Sequence, residues 1–153
     1  MVEKVSRYLK KVSKKDCDLL FNWVNEEITR RNSFNSEKIE YEDHIKWFEN
    51  KIQCNNCFMY IFYVNEIPVG QIRIDVCETI GIISYSLDKS YRGKGLAKKM
   101  IQLLESEIYN LDIGINKLVG DVKKENLASQ KIFEKLNYLK VNENNSLRYY
   151  KYI

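Results

Sequence analysis

The chain has 153 residues, with 25 lysines and arginines against 21 aspartates and glutamates, a formal charge of +4. That length suits a single domain, 1–153, that buries its core without disulfide staples, and 44% apolar with 30% charged residues argues against wholesale disorder. No apolar run approaches the ~18 residues of a membrane span, and Met1 to Lys15 lacks the apolar core of a signal peptide, so a cytoplasmic protein with no membrane partner is expected.

In chain order, Arg7 to Val12 reads as a short strand. Ser13-Lys14-Lys15-Asp16 has the form of a capping box, a hydroxyl followed three residues later by a carboxylate. The helix it opens carries Leu20, Trp23, Val24 and Ile28 on one stripe, and a polar loop from Thr29 to Lys38 follows. Tyr41, Ile45, Phe48 and Ile52 mark a second helix, with Glu42 and Asp43 in its first turn where the dipole favours them. Phe58 to Val64 is aromatic and β-branched, Asn65-Glu66 suits a hairpin turn, and Ile72, Ile74 and Val76 alternate with Gln71, Arg73 and Asp75. A further strand, Ile80 to Leu87, leads through a glycine turn into a long helix bearing Leu96, Met100, Leu103, Leu104, Ile108 and Leu111 on one face. Lys117 to Val122 (strand), Asn126 to Leu136 (helix) and two closing strands, Tyr138 to Val141 and Leu147 to Tyr152, complete the chain around the turn Asn142 to Ser146. The expectation is an α/β (α+β) domain whose mixed, mostly antiparallel sheet of about seven strands is flanked by about four helices.

Cys17, Cys54, Cys57 and Cys77 read as structural or incidental thiols. Cys54 and Cys57 have the spacing of half a zinc site, but no second pair completes it and His44 is the single histidine. No metal is expected. A charge of +4 favours anionic partners without selecting one. The basic residues are spread along the chain and no nucleic-acid motif is present, so no nucleic-acid partner is expected.

The stretch that carries chemistry is Leu87-Asp88-Lys89-Ser90-Tyr91-Arg92-Gly93-Lys94-Gly95-Leu96-Ala97. A strand ends, two glycines one residue apart open a helix, and Arg92, Lys94, Lys98 and Lys99 surround them. Glycine lets backbone approach a ligand closely, and the first amides of a helix have no internal partner, so the turn is built for a phosphate. The dinucleotide pattern fails at Lys98, and no Gly-Lys-Ser or Gly-Lys-Thr is present for a nucleotide P-loop.

Arg92-Gly93-Lys94-Gly95-Leu96-Ala97 resembles the pyrophosphate loop of the GCN5-related N-acetyltransferases (GNAT). The order of elements resembles that family too, as does Asn126 with Ser129 followed by Phe133-Glu134-Lys135-Leu136-Asn137-Tyr138. The resemblance implies a GNAT-like fold and acetyl-CoA as co-substrate. It puts the pyrophosphate on Arg92, Gly93, Lys94, Gly95, Leu96 and Ala97, the pantetheine arm along Tyr85, Ser86 and Leu87, and Asn126, Ser129 and Phe133 on the opposite wall.

A narrower likeness runs through Arg31-Asn32-Ser33-Phe34-Asn35-Ser36, His44-Ile45-Lys46-Trp47-Phe48 and Gly70-Gln71-Ile72-Arg73-Ile74-Asp75. These stretches resemble the subgroup acting on nucleotide-linked amino sugars, which implies an amine acceptor bound by Arg30, Asn32, Ser33, Trp47 and Arg73. A protein N-terminus or another small amine is the alternative acceptor, a non-catalytic acetyl-CoA-binding protein the alternative role, and a monomer or homodimer the implied assembly. The reaction implied is direct attack of a neutral amine on the thioester, which calls for a base in reach; Asp75 and His44 are the candidates. Many members have a tyrosine that protonates the leaving sulfur where this chain has Phe133. Tyr85 or Tyr138 could take that role. Asn137 replaces the usual glycine, and asparagine tolerates the left-handed conformation found at helix ends.

Overall fold

The computed structural model of the protein describes residues 4–153. Seven strands, β1 (Arg7–Lys11), β2 (Cys57–Val64), β3 (Ile67–Cys77), β4 (Ile80–Leu87), β5 (Lys117–Lys123), β6 (Leu139–Asn142) and β7 (Ser146–Tyr152), form one sheet in the order β1-β2-β3-β4-β5-β7-β6. Every neighbouring pair is antiparallel except β4 and β5, which run parallel. The β2–β3 hairpin turns on Asn65 and Glu66, both at positive φ (49° and 69°), the conformation a tight two-residue hairpin requires.

Strand alternation sends β3 and β4 side chains to two different layers. Ile72, Ile74 and Ile83 join the core that packs under α4 (Leu96–Leu111), where Met100, Ile101 and Leu104 are fully buried. Full burial of such a side chain is worth about 1.5–3 kcal/mol. The opposite face of β2, through Met59 and Ile61, packs against Leu20 and Trp23 of α1 (Cys17–Val24) and Phe48 of α3 (Tyr41–Gln53). On β3 and β4 this second face is polar: Gln71 sits opposite Ser86 and Arg73 opposite Ser84.

The N-terminal half differs from the sequence expectation in one place. The stripe Leu20, Trp23, Val24 and Ile28 suggests one helix, and Thr29 to Lys38 suggests a loop. Instead α1 stops at Val24 and a short α2 (Glu27–Asn32) starts anew, so the sheet is flanked by five helices rather than four. The break has two local causes. Asn25 pairs with the backbone of Ile39 in both directions, each bond 2.8 Å, and the Glu26 carboxylate accepts the Ile28 and Thr29 amides at 3.2 and 3.1 Å, capping α2 afresh. Ile28 is accordingly exposed rather than part of a core stripe, and so is Tyr41, whose hydroxyl donates to Asp18 at 2.6 Å.

The expected capping box forms, with the Ser13 amide donating to Asp16 at 2.9 Å, although the first turn it opens is a 3-10 turn. α5 (Leu127–Lys135) gives way to Asn137 at φ 67°, the left-handed position anticipated for it. Among the described residues no helix is long and apolar enough to cross a membrane.

Candidate active site

The parallel contact between β4 and β5 is short. Ile80, Gly81 and Ile82 pair with Lys117, Leu118 and Val119, and the strands then part. From Ile83 to Leu87 the β5-facing backbone of β4 is left open, as an added extended chain requires. The gap widens into a cleft of roughly 960 Å³ that reaches from one face of the sheet to the other. One wall is the turn into α4. Gly93 and Gly95 sit at φ 76° and 74°, a region that strains other residues, and no atom lies within 4 Å of where a side chain would begin. Gly95 caps the sixteen-residue α4, so the free amides and positive dipole end of a long helix open onto the cleft.

The far wall is α5. Asn126 caps it by accepting the Ser129 amide at 3.2 Å, and the Ser129 hydroxyl lies 2.6 Å from that of Tyr85. Burial pushes the Tyr85 pKa up to about 12, and its bond to Ser129 only partly offsets this, so it stays protonated across the physiological range. Phe133 is fully buried, stacked on Tyr149 and edge-on to Tyr85 and Tyr138.

On the other face of the sheet, Arg73 spans the floor. Its Nε donates to Asp75 at 2.8 Å, Nη2 reaches Ser84 at 3.3 Å, and the guanidinium lies 5.2 Å from the centre of the Trp47 ring. His44 is buried against Phe21, Trp47 and Phe48, and its Nε2 donates to the Cys17 carbonyl at 2.9 Å, which leaves Nδ1 as the lone-pair nitrogen.

A family model described as "Acetyltransferase (GNAT) domain" matches residues 7–138, most of the chain. The chain belongs to the GNAT acetyltransferase family. As a member it is an acetyl-CoA-dependent N-acetyltransferase, and the open strand edge beside a glycine-rich helix start fits an extended amide chain ending in a pyrophosphate. Solved structures share the fold. A domain from Methanocaldococcus jannaschii is similar at 18% identity and TM-score 0.86, over 98% of this chain and 100% of that one. A ribosomal-protein alpha-N-acetyltransferase in complex with coenzyme A is similar at 17% identity and TM-score 0.83, over 97% and 94%. The spermidine N-acetyltransferase of Vibrio cholerae, in complex with CoA and spermine, is similar at 12% identity and TM-score 0.81, over 95% of each chain. No curated protein matches the sequence significantly.

The acetyltransferase cleft gathers most of the residues singled out from sequence. Ser86, Leu87, Arg92, Gly93, Gly95, Leu96, Ala97, Asn126, Ser129 and Phe133 line it, and so do Tyr85, His44, Arg30, Asn32, Ser33, Trp47 and Arg73. Two do not. Lys94 points outward, its ammonium 5.3 Å from the Tyr91 ring centre, and Lys98 one helical turn on lines the cleft instead. Asp75 lies beyond the cleft, held by Lys51 and Arg73 at 2.8 Å each. Burial raises its pKa, but those two cations outweigh burial and lower it, so Asp75 is a weaker base than an ordinary carboxylate and serves to brace Arg73. Tyr138 also drops out as a proton donor to sulfur, because its hydroxyl donates to Glu105, away from the cleft.

Arg30 lines the cleft but is not free to bind phosphate. Its Nε donates to the Val24 carbonyl at 2.7 Å, Nη1 to those of Asn35 and Glu37 at 2.8 and 3.1 Å, and Nη2 to the Ser33 hydroxyl at 3.1 Å. It organises the 33–37 segment. Arg92 is likewise turned inward. Its Nη2 reaches Glu26 at 2.7 Å, Thr29 at 3.2 Å and the Leu87 carbonyl at 3.0 Å.

Glu26 was not apparent from sequence as a site residue. The hydrogen bond from Arg92, more than the two amides it caps, holds its pKa at about 2 against the ordinary 4.5. A carboxylate with a depressed folded pKa stabilises the fold above its unfolded pKa, and that contribution fades as pH falls from about 4.5 towards 2. At neutral pH it is on the order of 3 kcal/mol. Denaturant melts of the wild type and Glu26→Gln should therefore differ most at pH 7 and converge as the pH falls through this window. A constant gap across the range would refute the assignment.

Proposed function

We propose that this acetyltransferase acetylates a primary amine on an anionic small molecule, with a nucleotide-linked amino sugar as the preferred acceptor. The observation that carries this reading is the charge of the cleft. Six basic side chains line it against two acidic ones, Asp43 and Asp121; Arg30 is spent on carbonyls and Arg92 on Glu26, which leaves Arg73, Lys98, Lys131 and Lys135. Asp121 is occupied by Arg148, at 2.8 and 3.1 Å. A polycation would find one available carboxylate, whereas Arg73 retains Nη1 for a phosphate or carboxylate oxygen and Trp47 offers a flat ring beside it. A protein of this kind works in the cytoplasm, where acetyl-CoA and nucleotide-linked sugars are both supplied.

In this reading the pyrophosphate of acetyl-CoA rests on the amides at Gly95 to Lys98, and the pantetheine arm pairs with the open edge of Ile83 to Leu87. The acceptor enters from the Arg73 side. Its ammonium loses a proton to Nδ1 of His44, directly or through a water, and the neutral nitrogen attacks the thioester carbon. A backbone N–H of β4 stabilises the oxyanion as it forms. The C–S bond then breaks to release coenzyme A as a thiolate, a tolerable leaving group at a pKa of about 8.5, and the thiolate takes up the second proton that the acetylated nitrogen gives up. The Tyr85 hydroxyl donates a hydrogen bond to that sulfur from the wall where Phe133 offers none.

The test is thiol release from acetyl-CoA across a nucleotide-linked aminohexose, spermidine, an aminoglycoside and a peptide with a free N-terminus. The nucleotide-linked amine should give the highest kcat/KM, and Arg73→Gln should lower that value about 10–100-fold, the loss of a charge-assisted contact. His44→Gln should lower kcat by about 100-fold, the usual contribution of a positioned base. Faster turnover of spermidine or of the peptide would overturn the acceptor assignment, and an unaltered kcat in His44→Gln would remove the base.

A further inference from the structure

We infer that Glu26 is a positioning residue that links occupancy of the acetyl-CoA phosphate loop to the order of α2, the helix on the acceptor side of the cleft. The inference rests on the acetyl-CoA reading of the loop and adds a role for a residue that touches neither substrate. The link is a continuous set of bonds. Arg92 directly precedes Gly93, and its Nη2 is held by Glu26 Oε2, Thr29 Oγ1 and the Leu87 carbonyl. The same Oε2 accepts the Thr29 amide and hydroxyl, both at 3.1 Å, while Oε1 accepts the Ile28 amide. One carboxylate thus holds both the arginine of the phosphate loop and the first turn of α2.

α2 has only six residues and no buried side chain, well short of the ~12–15 at which an isolated helix becomes marginal, so its order depends on such ties. What α2 holds is the acceptor wall. Ile28, Thr29, Asn32 and Ser33 line the cleft, and Arg30 carries the tie onward to the carbonyls of Asn35 and Glu37. At the other end, Lys123 Nζ donates to the Arg31 carbonyl at 2.9 Å. The loop end also has a spare donor. Among the described residues, Nη1 of Arg92 is the one buried side-chain nitrogen or oxygen without a hydrogen-bond partner. That atom is closed off from solvent, so a phosphate seated on the loop acts through the Arg92 backbone beside Gly93: held there, the arginine keeps its guanidinium on Glu26 and on the start of α2. In reverse, an ordered α2 holds Arg92 for the next cofactor, because linkage between two binding events is reciprocal.

The experiment uses coenzyme A as the probe, calorimetry to follow its binding, and amide hydrogen exchange of residues 28–33 to follow α2. In the wild type, saturating coenzyme A should slow exchange of these amides about tenfold. In Glu26→Ala coenzyme A should still bind, since the loop amides are intact, but exchange should be fast with and without it. Glu26→Gln keeps one acceptor oxygen for the Ile28 or Thr29 amide, loses the other, and loses the charge. It should restore part of the protection seen without ligand, yet not the slowing that ligand brings, a separation that a purely structural cap does not give. If Glu26→Ala does not fold, Arg92→Lys, which keeps the charge but not the forked contacts, should show the same loss of ligand-dependent slowing. Equal slowing in the wild type and these variants overturns the inference, as does wild-type protein that binds coenzyme A with no change at 28–33. Failure of the wild type to bind coenzyme A is a different result, and overturns the reading of the loop itself.

Discussion

Replacing Gly95 with aspartate is expected to weaken acetyl-CoA binding about 100-fold. Gly95 caps α4 at φ 74°, and the space beyond its Cα is empty, so the cost is not a clash. Part of it is conformational, about 1–2 kcal/mol for a residue with a Cβ in the left-handed region. The rest is electrostatic, because the carboxylate sits where the first amides of the helix face the pyrophosphate and takes up the field that holds the anion. Together these come to roughly 3 kcal/mol, or about two powers of ten in Kd. Gly95→Ala separates the two parts. It carries the strain without the charge and should weaken binding about 5–30-fold. Calorimetry with acetyl-CoA at two salt concentrations reads both variants, and the excess penalty of aspartate over alanine should shrink at high salt. Aspartate and alanine variants that bind alike would remove the loop amides as the phosphate site.

The second large effect lies under the slot. Gly120, in the middle of β5, leaves room for the ring of Phe133: a Cβ at residue 120 would run into the far edge of that ring. The ring is packed against Tyr149, Tyr138 and Tyr85, so it can give way only by breaking those contacts and moving towards the cleft. Gly120→Ala should therefore cost about 3 kcal/mol, the upper end of ordinary overpacking. That corresponds to a fall in Tm of about 6–12 °C for a chain of this size. Phe133→Leu in the same chain should recover part of the loss, because the two substitutions share one volume and are not additive. A Tm for Gly120→Ala within about 2 °C of the wild type would mean that the ring is free to move. The contact also bears on the cleft, since the edge of Phe133 supports Tyr85, whose hydroxyl lies 2.6 Å from that of Ser129.

The framework of the acetyltransferase was legible because each strand and long helix carries its own period. Ile72, Ile74 and Val76 alternate with polar residues, and Leu96 to Leu111 keep a helical stripe, so local pattern and final burial agree. The glycine turn into α4 was legible for a similar reason: two glycines at a strand-to-helix turn state a backbone requirement directly, and both sit at positive φ. What stayed hidden depends on partners far away in sequence. Glu26 and Arg92 are 66 positions apart, and neither has a neighbour that announces the pairing. Arg30 looked like a free cation because the carbonyls that consume it belong to a segment with no period of its own. Asp75 looked available for the same reason: the Lys51 that claims it comes from α3, on another layer of the fold. The break after Val24 was masked by a stripe that continues into Ile28, while the cap that causes it uses glutamate, which is not among the favoured capping residues.

The three residue pairs that join β4 to β5 have a further consequence. Among the described residues they are the strand pairs between two smaller sheets, β1 to β4 on one side and β5, β7 and β6 on the other, with one further backbone bond at their edge from Asn116 to Thr79. Beyond Ile82 the ladder continues only when a chain with its own amides lies in the gap. With the pantetheine arm seated along Ile83 to Leu87 as proposed above, the arm is such a chain, so it also serves as a temporary strand, and the sheet is complete only while the enzyme holds its donor.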